Sequence, residues 1–349
     1  MHMSDALVSS PVAAVMGVVS VSLLVLSLHK IKKANDENVV PLMGVMGAFV
    51  FAAQMLNFTI PGTGSSGHIV GGILLSAMLG PWAAYVTLAS VLVIQALFFA
   101  DGGLLALGCN LFNMGVLSCL VAYPLAYRPL AGEGGSSFRL SLAAVLACLL
   151  GLEMGAFMVT AETEMSGVTA LPFGSFLLFM MPIHVLIGIM EGVATAAVLV
   201  FMRRYKPDLL DSCKPVSGQH KVSKKVLLVI AGVALLFGGV FSWYASSDPD
   251  GLEWSIAKIV KDGEVSSEPE MVKDMADRIQ RNTAFLPDYG FAVGENGGLT
   301  EEEMEATSSS LSDSKTGTSV AGITGGVIVL LLVYLIGLLF RNRMRDKSV

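Results

Sequence analysis

Residues 82–100 read WAAYVTLASVLVIQALFFA, with no Asp, Glu, Lys or Arg among them. A helix of this length rises roughly 28 Å, close to the ~30 Å hydrocarbon thickness of a bilayer. Its apolar residues are not confined to one stripe, so the helix would have no face suited to water. The stretch predicts a buried transmembrane helix, and the rest of the chain can be read outward from it.

Comparable apolar runs occupy 7–29, 41–59, 104–126, 139–160, 176–202, 223–244 and 320–340. A shorter one, 68–79, ends at Gly80-Pro81, a dipeptide that breaks or kinks a helix, and reads either as a buried half-helix or as a short crossing. Hydrophobic residues make up 54% of the chain and charged residues 14%, where a soluble protein carries about a quarter charged. The expected fold is an all-α polytopic membrane protein with about seven transmembrane segments in a first module and two in a second.

Charge orients these segments. Lys30, Lys32 and Lys33 follow the first run. Arg203, Arg204, Lys206, Lys214, Lys221, Lys224 and Lys225 crowd the connection at 203–225, and Arg341, Arg343, Arg345 and Lys347 lie near the end. The positive-inside rule assigns these clusters to the cytoplasm, which requires 68–79 to count as a crossing. The N-terminus is then external and the C-terminus cytoplasmic in a multi-pass protein of the cell membrane. Residues 245–318 carry 16 acidic and 6 basic residues and form a small external domain, whose stretch 300–318 reads as a polar linker. The expected organisation is a membrane module at 1–203, a basic cytoplasmic linker at 204–222, and a helix–ectodomain–helix module at 223–349.

Residues 1–6 lack a basic n-region and no small-residue cleavage site follows, so Met1 is expected to remain, protected by the bulk of His2. Three nitrogens of Met1-His2 can then converge on one ion: the α-amine, the His2 amide once deprotonated, and the imidazole. They close a five- and a six-membered chelate ring in one plane. A planar nitrogen set suits Ni(II) or Cu(II), whereas Zn prefers a tetrahedron and Mg or Ca prefer oxygen. His68 follows the Gly-rich loop Pro61–Gly67 and is the natural fourth donor. The plain alternative is an incidental His at position 2 and a solvated loop His.

With Ser66, the residues Gln95, Asn110 and Asn113 are candidates to support the site, or else to join helices. His184 and Glu191, two helical turns apart on one face, could form a proton or metal relay or a satisfied pair that fixes packing. Cys109, Cys119, Cys148 and Cys213 have no C-x-x-C spacing, and the 19 methionines are scattered, so neither points to a soft-metal site.

Met1-His2-Met3-Ser4-Asp5-Ala6-Leu7 resembles the N-terminal signature of the nickel/cobalt substrate-binding subunits of energy-coupling-factor transporters, the NikM/CbiM family. Residues 62–82 (GTGSSGHIVGGILLSAMLGPW), 101–110 (DGGLLALGCN) with Asn113-Met114-Gly115, and 184–192 (HVLIGIMEG) are similar to further family segments. The remainder resembles a fused NikN-type small subunit, with Asp248-Pro249-Asp250-Gly251-Leu252-Glu253-Trp254 and Leu286-Pro287-Asp288-Tyr289 on its external segment.

The resemblance implies a metal-capturing membrane subunit holding its ion through Met1, His2 and His68. Its partners would be a transmembrane coupling (T) subunit, a pair of cytosolic ABC-type ATPases and membrane lipid, with no nucleic acid. The P-D-G-L-E element, and Asp101 where the cobalt branch tends to have His, favour Ni(II) as cargo, with Co(II) the alternative. No G-x-x-x-x-G-K-[ST] loop is present, so ATP hydrolysis is expected to reside in partners. An intramembrane metalloenzyme is the competing class, but no H-E-x-x-H spacing supplies a water-activating cluster. The Asp248–Trp254 element is expected to pack on the outer loops of the first module, with Trp254 and Tyr289 as apolar anchors.

Overall fold

The computed structural model describes residues 1–34, 39–132, 135–210, 223–260, 271–291 and 311–345. The second half of the basic linker, including Cys213, Lys214 and Lys221, lies outside these residues, as does most of the 300–318 stretch.

Every apolar run becomes a helix. The first module comprises α1 (Ser10–Ala34), α2 (Val39–Gln54), α3 (Gly72–Leu79), α4 (Pro81–Phe99), α5 (Leu107–Ala131), α6 (Ser137–Ser166) and α7 (Phe173–Tyr205). The second comprises α8 (Lys224–Gly239), two short helices α9 (Gly251–Ala257) and α10 (Met271–Thr283), and α11 (Leu311–Arg345). Among the described residues, seven helical spans are long and apolar enough to cross a membrane, α8 being counted on to Tyr244; α2 and α3 are shorter. The protein is an all-α polytopic membrane protein.

The eight-residue α3 is buried along its whole length. Its helical rise of about 12 Å cannot span a bilayer, but the non-helical chain before it, 68–71, adds reach. The ends show this: Lys30 Nζ, late in α1, lies 5.9 Å from the Trp82 ring at the start of α4. His2, just before α1, meets Gln95 near the end of α4. Residues 68–79 therefore carry the chain from the N-terminal end of the bundle to the opposite end. Pro81 then opens α4 at a position where a missing N–H costs nothing.

Small residues allow close helix crossings, as expected where lipid supplies no hydrophobic drive between helices. A Cβ on Gly108 of α5 would lie 2.5 Å from Gly17 of α1, and the same contact is stapled by Ser20 Oγ donating to the Gly108 carbonyl at 2.7 Å. A Cβ on Gly322 of α11 would lie 2.4 Å from the Gly238 carbonyl of α8, and one on Gly325 would strike the Phe51 ring of α2. Both long helices of the second module thus pack on α2, so the sequence boundary near residue 223 does not separate two bodies in space.

Two three-residue strands, β1 (Phe58–Ile60) and β2 (Ser65–Gly67), form an antiparallel hairpin at the N-terminal end of the bundle, with Ile60 opposite Ser65 and Phe58 opposite Gly67. The described parts of 245–318 cover this same end.

Candidate metal centre

The N-terminal segment folds inward rather than trailing into solvent. Met1 is 5% exposed and Met3 fully buried. Asn110 holds the Met3 backbone on both sides: its Oδ1 accepts the Met3 N–H at 2.7 Å and its Nδ2 donates to the Met3 carbonyl at 3.0 Å. Gly103 N–H donates to that carbonyl as well, at 2.9 Å. Asp5 accepts the N–H groups of Leu105 and Ala106. A Cβ at Gly103 would sit 1.8 Å from Asp5 Oδ1, so the Gly-Gly after Asp101 is required by the passage of the N-terminus.

This pinning brings His2 beside His68. Their rings stack with centroids 5.3 Å apart and planes inclined by 23°. His68 donates Nδ1–H to the Ile69 carbonyl at 3.1 Å, which leaves Nε2 as the lone-pair nitrogen. Burial, then the positive charges of the N-terminal amine and His2, lower the His68 pKa from its ordinary value, which favours the neutral ring. His2 is also shifted downward, by burial against the opposing pull of Asp101. Neutral imidazole is the form that binds metal. The His2 ring has acceptors at both nitrogens: Gln95 Oε1 lies 3.3 Å from Nε2 and Asp101 Oδ1 lies 3.2 Å from Nδ1.

The loop after His68 is held by a relay of side-chain amides and one acid. Gln95 Nε2 donates to Gln54 Oε1 at 2.8 Å, and Gln54 Nε2 donates to the Val70 carbonyl at 2.8 Å. Glu191 of α7 accepts the N–H groups of Val70 and Gly71, each at 2.9 Å. The expected pairing of His184 with Glu191 is therefore replaced by a different arrangement. Glu191 positions the loop, while His184 donates Nδ1–H to the Met180 carbonyl one turn back, at 2.8 Å. His184 Nε2 is buried without a hydrogen-bond partner among the described residues. It borders a cavity of about 10 Å³ shared with Met1, His68, Asp250 and Gly251.

The supporting residues expected from sequence separate into two kinds. Gln95 touches His2 and Asn110 fixes the segment that carries it. Ser66 instead faces the second module: its N–H donates to the Pro249 carbonyl at 2.7 Å and its Oγ to the Asp248 carbonyl at 2.7 Å. Asn113 gives its amide to Glu162 at 2.7 Å.

Sequence reasoning did not assign the partner of the amine. Asp250 Oδ2 lies 2.5 Å from the Met1 nitrogen. Burial works against ionisation of Asp250, yet the charge and hydrogen bond of the amine hold its carboxyl well below the usual carboxylate range. The only signal for it was the P-D-G-L-E element itself, because no spacing rule links residues at opposite ends of a chain.

The second module grips the centre elsewhere too. Trp254 Nε1 donates to the Thr63 carbonyl at 2.9 Å, Tyr289 O–H bonds Asp101, and Gln280 Nε2 donates to the carbonyls of Ala96 and Gly102. Tyr289 also stacks on Phe99, and Trp254 meets Phe179 edge-on. Both aromatics are thus polar partners as well as apolar anchors.

Residues 2–209 match the family described as the cobalt uptake substrate-specific transmembrane region, CbiM, and residues 224–342 match the PDGLE domain. The chain belongs to the CbiM family. A protein of Archaeoglobus fulgidus named as a fused nickel transport protein, NikMN, is 31% identical over 95% of this chain and 96% of its own length. The fused nickel transport protein NikMN of Rhodobacter capsulatus is 32% identical over 60% of this chain and 64% of its own. The cobalt transport protein CbiM of Sorangium cellulosum is 27% identical over 62% of this chain and 97% of its own. A crystal structure titled as that of a transition metal transporter superposes with a TM-score of 0.53 at 31% identity, covering 62% of this chain and all of the other. This CbiM-type chain, with its PDGLE domain fused in frame, is a membrane subunit for metal uptake.

Proposed function

We propose that this chain is the substrate-binding membrane subunit of an ATP-driven energy-coupling-factor importer for Ni(II). The observation that carries the reading is the meeting, at one largely enclosed place, of the Met1 amine and the stacked rings of His2 and His68. The ligands would be the Met1 nitrogen, the deprotonated His2 amide, His2 Nδ1 and His68 Nε2, a planar set that Ni(II) favours. His2 Nε2–H would stay on Gln95, fixing the ring and leaving Nδ1 as the lone-pair nitrogen that takes the metal.

Nickel is further supported by the fused arrangement, since the relatives named NikMN are named for nickel. Co(II) is the second reading, favoured by the description of the matching family. The N-terminal end of the bundle would face outward and the ends of α7 and α11 the cytoplasm, with residues 1–203 as the capturing module and 223–349 as its cover. Energy would come from a transmembrane coupling subunit and cytosolic ABC-type ATPases.

Metal analysis of purified protein with an untagged N-terminus tests the cargo, and copurification with an ATPase tests the class. One Ni(II) per chain and a bound ATPase are expected. A chain that takes up no Ni(II) or Co(II), or hydrolyses a substrate without partners, would sink the proposal.

A further inference from the structure

Asp250 opens α9, and its two carboxylate oxygens have separate tasks. Oδ1 accepts the N–H groups of Leu252 at 2.8 Å and Glu253 at 2.9 Å, capping the helix, and Glu253 returns a bond to the Asp250 N–H. Oδ2 meets the Met1 amine. The acid is therefore fixed by its own helix independently of the amine. Gly251 lets α9 approach this closely: a Cβ there would lie 2.9 Å from Ile187 and 3.1 Å from His184.

We propose that Asp250 is the counter-charge of the metal site, binding the N-terminal amine in the empty chain and accepting an N–H from the same amine once it holds the metal. The proposal rests on the amine-ligand reading given above. Coordination removes one proton from the ammonium and one from the His2 amide, both released to solvent, and leaves two N–H bonds on the amine. A divalent ion with one deprotonated amide retains net positive charge in a place where Met1 is almost fully enclosed. Asp250 offsets that charge at the shortest distance, while Asp101 does so from the side of the His2 ring. An enclosed charge without such a partner is costly. The second module is in this way part of the metal-holding chamber, and its acid contributes to metal affinity.

The test is Ni(II) titration calorimetry on the full chain with a native N-terminus. The variants are Asp250→Asn, Asp250→Ser and Asp250→Glu, beside a chain whose Met1 amine is acetylated. Asn and Ser cap helices about as well as Asp, so helix α9 is kept while the charge is removed. Both should bind Ni(II) about ten- to a hundredfold more weakly, the range for a hydrogen bond to a charged group. Glu should recover most of the loss. The absorption band of planar Ni(II) should persist in the weakened variants, because all four nitrogens remain; a merely unfolded site would lose it. Native affinity in Asn or Ser, with no binding by the acetylated chain, overturns the role of Asp250 and leaves the amine reading intact. Native affinity in the acetylated chain overturns the amine reading itself.

Discussion

Inserting one glycine ahead of Met1 is expected to abolish tight Ni(II) binding, and the structure gives the reasons in order of size. The insertion converts the Met1 α-amine into an amide and moves His2 to third place, so a free amine no longer stands at the Met1 nitrogen beside Asp250 to close a ring with the His2 amide. The new amine would have to sit a peptide unit further on. The cavity beside Met1 holds about 10 Å³, room for a single water at most. The extra residue must therefore push Met1 off Gly155, where the Met1 Cε already lies 3.0 Å from the position of an added Cβ. The ion pair with Asp250 breaks as well. Removing one partner of an enclosed pair costs about 3–5 kcal/mol, and the lower figure applies because Asp250 keeps its two helix-capping bonds and is 20% exposed. The metal-free extended chain should therefore be about 3 kcal/mol less stable. Its Ni(II) content after gel filtration should fall to background, read by elemental analysis alongside a thermal melt. Tight stoichiometric Ni(II) in the extended chain would refute the reasoning.

His2→Ala and His68→Ala should each remove Ni(II) uptake and stoichiometric binding while the chain still elutes as folded protein; full binding in His68→Ala would take the loop out of the site. Glu191→Gln puts an amide NH₂ against one of the N–H groups of Val70 and Gly71, costing about 1–3 kcal/mol; metal affinity and loop protection in hydrogen exchange should fall together, and unchanged exchange would discount the clamp. His184→Ala should lower folded yield more than affinity per folded molecule, measured by metal stoichiometry and melting on the same sample. A chain ending after residue 222 should bind Ni(II) more weakly and transport poorly, whereas neutralising Glu301, Glu302 and Glu303, outside the described residues, should leave uptake unchanged at low and high salt. Loss of all binding in the truncated chain would mean that the second module supplies a ligand.

The membrane architecture was legible because lipid imposes a simple rule, long apolar runs joined by basic or polar connections, and residues 82–100 obey it with no charged residue. Residues 68–79 were harder, since an eight-residue helix crosses only with help from non-helical backbone that its hydrophobicity does not announce. At the candidate site, His2 and His68 could be read because their chemistry is local: a second-place imidazole and a glycine-rich loop. Gln95 and Asn110 were legible as polar residues inside apolar runs, where each needs a partner. The roles of Asp250, Glu191 and Ser66 were not. Each acts on backbone groups or a terminus brought close by the packing of distant helices, and the same residue types in soluble loops are ordinary. His184 and Glu191 share a helix face as their spacing implies, yet face different neighbours, because the N–H groups of Val70 and Gly71 engage Glu191 while His184 bonds the Met180 carbonyl of its own helix.

The pairing of Ser66 with the backbone around Asp250 gives the β1–β2 hairpin a third neighbour. An isolated hairpin of two strands is marginal in water, and these strands are only three residues each. Because the added neighbour belongs to the same polypeptide, its arrival is a unimolecular event. Tethered partners meet at effective concentrations on the order of millimolar, whatever the number of molecules in the bilayer or micelle. Dilution cannot strip the cover from the loop, and a competing free fragment of the second module would need comparable concentrations to displace it.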